Sequence, residues 1–124
     1  MIYLAFDVGA KRIGVAISRS GIIAEPLTTL AVADPARLDP AISALIAAEE
    51  PTIIVVGRPE RSGHRSTIID AFINQLSITV AKNVKIITVD ETLTTKEAER
   101  LSHHGTDTDA LAAALILEQY LAER

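Results

Sequence analysis

The chain has 124 residues, of which 48% are hydrophobic and 23% are charged, and it contains no cysteine. This balance predicts one globular domain over residues 1–124 and excludes both a disulfide framework and a thiolate metal site. The formal net charge of −4 excludes a uniformly positive surface. Because every apolar run is shorter than about 18 residues and no signal-peptide pattern is present, we expect a cytoplasmic protein with no membrane partner.

The first predicted strand, over residues 2–8, contains an unusual acid. Alternation places Asp7 on a face whose other residues are apolar or glycine, and burying a carboxylate there costs free energy unless a partner binds it. The turn that follows carries glycine and two cations, Lys11 and Arg12, before a return strand. Asp7 therefore has two equally supported interpretations: it caps the turn or pairs with a cation, or it binds metal or takes part in catalysis.

The remaining elements follow from hydrophobic periodicity and turn signals. In chain order after the first strand, we predict strands at 12–18 and 22–30, a helix at 34–50, a strand at 52–57, a helix at 67–81, a strand at 84–89 and a final helix at 108–122. Pro26 confines the third strand to a sheet edge or a bulge. Asp34 and Pro35 have the form of a helix N-cap and first helical residue. The two later strands are continuous β-branched runs, typical of parallel strands covered on both faces.

Two further acids occupy notable positions. Glu91 follows the carboxyl end of the last predicted strand, where ligands gather in parallel sheets. Asp90 or Glu91 could instead cap the next helix, but Thr94 and Glu97 already form a capping box there. Asp109 lies in the first turn of the final helix and on its apolar stripe. The helix dipole alone favours an acid at that position, and for Asp109 by itself this is the simpler explanation.

Five motifs together cover essentially the whole chain: DVGAKRIGVAIS at 7–18, EPLTTL at 25–30, IIVVGRP at 53–59, VDETLTTKEAER at 89–100 and TDALAAALILEQYL at 108–121. In this order they resemble the YqgF-type family of Holliday junction resolvases, also assigned as pre-16S rRNA nucleases. The resemblance implies an α/β, RNase H-like fold: a central five-stranded mixed sheet, with its first three strands antiparallel, flanked by helices. It also implies catalytic and metal-ligating acids at Asp7, Glu91 and Asp109.

The activity implied by this resemblance is that of a divalent-metal-dependent endonuclease. Carboxylate oxygens are hard ligands suited to Mg²⁺ or Mn²⁺, and two such ions about 4 Å apart can activate water and stabilise the leaving oxygen of a phosphodiester. The implied role is 5′-end maturation of pre-16S rRNA in ribosome biogenesis, or Holliday junction resolution in DNA recombination and repair. Because junction resolution needs two symmetrical sites, we expect a monomer or a homodimer according to the substrate.

Basic residues near these acids are predicted to contact the phosphate backbone of structured RNA or branched DNA: Lys11, Arg12, Arg58, Arg61 and Arg65. Lys96 and Arg100 are explained more simply as solvated or paired with neighbouring glutamates. Thr92 stands where the family usually has arginine, which removes a cation beside Glu91. Since aromatic residues make up only 3% of the chain, we expect recognition by backbone and shape rather than by base stacking.

Two other functions remain open. The Asp-x-Gly pattern after the first strand also resembles the phosphate loop of actin-like ATPases and sugar kinases, although those proteins enclose the nucleotide between two such domains. A non-catalytic nucleic-acid-binding protein would keep the same fold without turnover. Metal-dependent cleavage that is lost when Asp7 is replaced by asparagine distinguishes the nuclease from both.

Overall fold

The structure is a computed structural model that describes residues 1–35, 37–58, 64–90 and 108–124, and for residues 64–66 it describes the backbone alone. The described elements are, in chain order, β1 (Tyr3–Val8), β2 (Arg12–Ser18), β3 (Glu25–Ala31), α1 (Pro40–Glu49), β4 (Ile53–Arg58), α2 (His64–Thr79), β5 (Lys85–Asp90) and α3 (Thr108–Glu123). No helix in these ranges is both long enough and apolar enough to cross a bilayer.

The strands form one mixed sheet in the order β3-β2-β1-β4-β5. β1 and β3 both pair antiparallel with β2, whereas β4 pairs in parallel with β1 and with β5. The predicted five-stranded mixed sheet with three antiparallel strands first is confirmed. Both expectations for Pro26 hold, because β3 is an edge strand and its register with β2 shifts between Val15 and Ala16, leaving Leu27 as the extra residue.

Side-chain alternation divides the core between the two faces of the sheet. One face packs against α1 and α2, and there the rings of Phe6 and Phe72 meet edge-on with centroids 5.5 Å apart. The other face packs against α3 and includes Tyr3 and Ala5 of β1. Asp7 continues this second series, so its side chain belongs to the face that α3 covers.

The first helix begins at the second of two Asp-Pro dipeptides, so the predicted start at Asp34 and Pro35 is wrong. Asp39 is the N-cap: its Oδ1 accepts a hydrogen bond from the Ala41 amide at 2.9 Å, and Pro40 is the first helical residue. A helix starting at Pro35 would bury Pro40 in its interior, where proline lacks the N–H and clashes with the preceding turn. The first dipeptide forms a turn instead.

Substitution of the two aspartates distinguishes these starts. We expect Asp39→Ala to lower the free energy of unfolding by about 1 kcal/mol, because the first-turn amide loses its acceptor. Asp34→Ala is the comparison: Asp34 caps no helix in the described ranges, so this change should leave the helical circular dichroism unchanged, whereas Asp39→Ala should reduce it. Urea denaturation and circular dichroism of both variants provide the measurements. A loss of helical signal in Asp34→Ala and not in Asp39→Ala would contradict the assigned helix start.

Two later predictions also need adjustment. α2 begins at His64 rather than near Thr67, so the backbone of 64–66 is helical and not part of the preceding loop. β5 is an edge strand with exposed and half-buried residues, so the expectation of a strand covered on both faces is wrong for it but correct for β4. The segment 91–107, which contains the predicted capping box and Glu91, lies outside the described residues.

Candidate functional site

Asp7 lies next to the carboxyl end of β1 and is the one buried charged residue in the described ranges, with 9% of its surface exposed. Its partner across the β1–β2 ladder is Gly14. Directly opposed residues of an antiparallel pair direct their side chains to the same face, about 5 Å apart. The side of Asp7 that faces β2 is therefore bordered by a residue without a side chain.

The first turn of α3 rests on that glycine. A Cβ atom added to Gly14 would overlap the carbonyl group of Asp109, and it would also come within 2.9 Å of the Ala110 amide nitrogen. No larger residue at Gly14 allows this approach without moving the helix or the strand. Asp7 and Asp109 therefore approach the same glycine, the first along the sheet and the second from the helix above it. The structure brings these two of the predicted site residues together.

Arg12 adds a positive charge at the same place. It is the first residue of β2 and shares a strand face with Gly14, two residues further along. Its Nε lies 3.1 Å from Oδ2 of Asp109, and the two side chains are 68% and 28% exposed. A cation that the sequence offered as a partner for Asp7 is thus an ion-pair partner of Asp109. This contact ties the start of β2 to the start of α3.

The turn that presents Arg12 is closed by the Gly9 amide, which donates to the Arg12 carbonyl oxygen at 2.9 Å. Lys11 is exposed in this turn, and its carbonyl oxygen accepts from the Val32 amide at 2.9 Å. The backbone of both predicted basic residues is therefore held by hydrogen bonds, that of Arg12 to Gly9 in the turn and that of Lys11 to Val32 after β3. Both side chains are exposed, and that of Arg12 contacts Asp109.

Arg58 occupies a different face from Asp7. It is the last residue of β4, two residues beyond Val56, which packs on the α1 and α2 side of the sheet. Its guanidinium forms an ion pair with Asp70 of α2. Any contact between Arg58 and a phosphate beside Asp7 must therefore come around the end of the strands.

The remaining predicted site residues are Glu91 and two arginines. Glu91 and Arg61 lie outside the described residues, and Arg65 is described only by its helical backbone in α2. β5 ends at Asp90. Because β1, β4 and β5 are parallel, their carboxyl ends lie at the same end of the sheet, so the chain leaves β5 at the end near which Asp7 lies. Among the described residues no group of three or more metal-binding side chains occurs. Asp7 and Asp109 are two carboxylates near this end of the sheet, and carboxylate oxygens are of the ligand type that suits a hard divalent cation.

Thr29 was missed by the sequence reasoning. It pairs with Gly14 on the side of β2 away from Asp7, so Asp7, Gly14 and Thr29 form a row across three strands beneath α3. Its Oγ1 is buried and has no hydrogen-bond partner within the described residues. A buried hydroxyl without a partner is unfavourable. No local signal marks Thr29, because its place in the row depends on the pairing of β2 with β3.

Substitution of Thr29 tests whether its buried hydroxyl lacks a hydrogen-bond partner. We expect Thr29→Val to raise the free energy of unfolding by about 1 kcal/mol, because valine keeps the shape and removes the unsatisfied hydroxyl. Thr29→Ser keeps the hydroxyl and removes a methyl group, so it should not stabilise the protein. Chemical denaturation of both variants measures the difference. A loss of stability in Thr29→Val would show that the hydroxyl has a partner.

Comparison with known proteins identifies a matching protein family. A family model described as "RuvX: Holliday junction resolvase" matches residues 1–123. Among curated proteins, one from Roseiflexus sp. (strain RS-1) is 33% identical over 131 residues, covering 95% of this chain and 92% of that protein. Another, from Mycoplasma capricolum, is 35% identical over 139 residues, covering 98% of this chain and 95% of its own. Both carry the name "Putative pre-16S rRNA nuclease".

Solved structures confirm the RNase H-like fold class. T. thermophilus RuvC in complex with a Holliday junction substrate gives a TM-score of 0.61 at 13% identity, covering 100% of this chain and 95% of that one. The fowlpox virus Holliday junction resolvase gives 0.58 at 17% identity, with both chains fully covered. At these identities the likeness is one of fold. The family model and the full-length relatives carry the assignment further: the chain belongs to the RuvX family of Holliday junction resolvases.

Proposed function

We propose that the chain is a divalent-metal-dependent endonuclease that hydrolyses phosphodiester bonds, with residues 1–124 acting as a single nuclease domain. The observation that supports this most strongly is the approach of Asp7 and Asp109 to the same glycine, next to the carboxyl end of β1. We further propose that the substrate is the 5′ extension of pre-16S rRNA, which would place the protein in the cytoplasm. The names of the full-length relatives favour this substrate.

Asp7, Glu91 and Asp109 would hold the metal and form the catalytic group. When bound, Mg²⁺ or Mn²⁺ would supply a Lewis acid for the phosphoryl oxygen and activate an attacking water. The protein itself would hold the two carboxylates in fixed positions. Asp7 lies on the central strand of the sheet, and the residues before and after it are buried. Asp109 is fixed by the seat of α3 on Gly14. Carboxylates held in this way need little reorganisation to bind a cation.

The nucleic-acid contacts would come from the predicted basic residues. Lys11 and Arg12 lie in the turn beside Asp109, and backbone phosphates that approach the two acids would pass this turn. Arg58 ends β4, Arg65 lies in the first turn of α2 and Arg61 lies between them in the sequence, and these three residues would bind a more distant part of the nucleic-acid strand. For Arg58 this requires exchange of its ion pair with Asp70.

A cleavage assay tests the proposal. We expect the purified protein to cut a 5′-extended 16S precursor RNA in the presence of Mg²⁺ or Mn²⁺ and to lose this activity in EDTA. Binding of the same RNA that is unaffected by EDTA, with no cleavage at any Mg²⁺ or Mn²⁺ concentration tried, would instead support the non-catalytic nucleic-acid-binding alternative.

Holliday junction resolution is the second candidate, because the matching family model carries that description. The same assay with a four-way DNA junction separates the two substrates. Symmetrical cuts by a homodimer would favour resolution, whereas cleavage of the precursor RNA alone by a monomer would favour rRNA maturation. Light scattering on the assayed sample gives the oligomeric state.

A further inference from the structure

The ion pair between Arg12 and Asp109 joins a proposed nucleic-acid-binding residue to a proposed metal ligand. The contact is between Nε of the guanidinium and Oδ2 of the carboxylate, at 3.1 Å. Two-thirds of the Arg12 side chain is exposed, so solvent screens the pair, and ion pairs of this kind contribute little to stability. The position of this ion pair at the site is therefore better explained by a role in binding metal or nucleic acid than by a contribution to the stability of the fold.

A guanidinium and a divalent cation compete for Asp109. Both bind through the lone pairs of the carboxylate oxygens, and the positive charge of Arg12 also opposes the approach of a second cation. The Asp109 side chain is only 28% exposed, so the directions from which it can be reached are few. Arg12, by contrast, lies at the start of β2 on a long side chain that can turn toward solvent.

We propose that Arg12 is an exchangeable counterion of Asp109. In the metal-free protein its guanidinium neutralises Asp109, and when a divalent cation binds Asp109 the guanidinium is released to contact a backbone phosphate of the nucleic acid. This inference rests on the proposed function. Exchange keeps the local charge nearly balanced in each state, since the cation replaces Arg12 at the carboxylate and the phosphate replaces the carboxylate at Arg12.

Exchange makes metal and nucleic acid bind cooperatively. Metal binding frees a cation for the phosphate backbone, and by linkage the bound nucleic acid raises the affinity for metal by the same factor. This exchange would favour assembly of the complete site only when metal and nucleic acid are both present.

The first test measures Mn²⁺ affinity without nucleic acid, by electron paramagnetic resonance of free Mn²⁺. We expect Arg12→Gln to bind Mn²⁺ about fivefold more tightly than the unmodified chain, because a competing charge is removed. Lys85→Gln is the matched control: it removes one positive charge at an exposed residue at the start of β5, at the opposite end of the parallel strands from Asp7, and it should change the affinity by less than about twofold. Equal tightening in both variants, or unchanged or weaker binding in Arg12→Gln, would overturn the proposal.

The second test needs no metal. In EDTA, Arg12→Gln should weaken binding of precursor RNA only slightly, since Asp109 already holds the guanidinium. In the Asp109→Asn background the guanidinium is released, and the same Arg12→Gln substitution should weaken RNA binding about threefold. Equal effects in the two backgrounds would show that the ion pair does not restrain Arg12, and would overturn the proposal.

The two tests separate this inference from the function on which it rests. If the unmodified chain bound no Mn²⁺ at millimolar concentrations, the metal-dependent function would fail and the inference with it. If Mn²⁺ bound but Arg12→Gln did not tighten binding, only the inference would fail.

Discussion

Replacing Asp7 with asparagine is expected to reduce cleavage of the precursor RNA by about a thousandfold, equivalent to roughly 4 kcal/mol of transition-state stabilisation by bound metal. Asparagine has the same shape but no charge, so it weakens the hold on a divalent cation without leaving a cavity. Asp7 is also the one charged residue buried in the described part of the chain, and a neutral amide is less costly to bury than a carboxylate. The variant should therefore remain folded.

Two measurements make this result interpretable. Circular dichroism and thermal unfolding of Asp7→Asn should match the unmodified chain to within about 5 °C, a range that corresponds to roughly 1 kcal/mol for a domain of this size. Glu25→Gln provides the control, because it makes the same chemical change at an exposed residue at the start of β3. A folded Asp7→Asn protein with undiminished cleavage would show that the buried carboxylate serves only the fold.

Replacing Gly14 with alanine is expected to lower the free energy of unfolding by about 3 kcal/mol, through overpacking between β2 and α3. The added Cβ would overlap the carbonyl group of Asp109, and both overlapped atoms belong to the backbone. Neither can rotate away as a flexible side chain would. Relief requires α3 to shift from the sheet, which would also displace Asp109 and reduce cleavage.

The sign of this effect is informative. Glycine within a strand is normally less favourable than alanine by roughly 0.5–1 kcal/mol, so strand preference alone predicts that Gly14→Ala stabilises the protein. Gly9→Ala is a milder comparison, because its Cβ would come 2.9 Å from the Arg12 carbonyl oxygen. Urea denaturation measures both. Increased stability of Gly14→Ala would contradict the close seat of α3 on β2.

Much of the fold could be predicted because it depends on local patterns. Alternation along β1 was enough to place Asp7 on a defined face, and Pro26 was enough to identify an irregular edge strand. The start of α1 could not be predicted in this way. Two Asp-Pro dipeptides offer the same local signal, and the choice between them follows from the disruption that Pro40 would cause inside a longer helix.

The site was harder to predict because it depends on pairings between distant segments. Asp7 and Asp109 were selected through a family resemblance, whereas their meeting at Gly14 depends on strand register and on helix docking together. The pairing of Arg12 with Asp109 reflects the same docking. The partner of Arg58, Asp70, became evident only once β4 and α2 were placed side by side.

Diffraction from crystals soaked in Mn²⁺, measured at a wavelength where manganese scatters anomalously, locates the cation itself. We expect an anomalous peak between Asp7 and Asp109, with a carboxylate oxygen from each within about 2.5 Å of it. A peak bound by neither residue, or an empty site at saturating Mn²⁺ with the two carboxylates directed apart, would contradict the proposed metal-dependent nuclease.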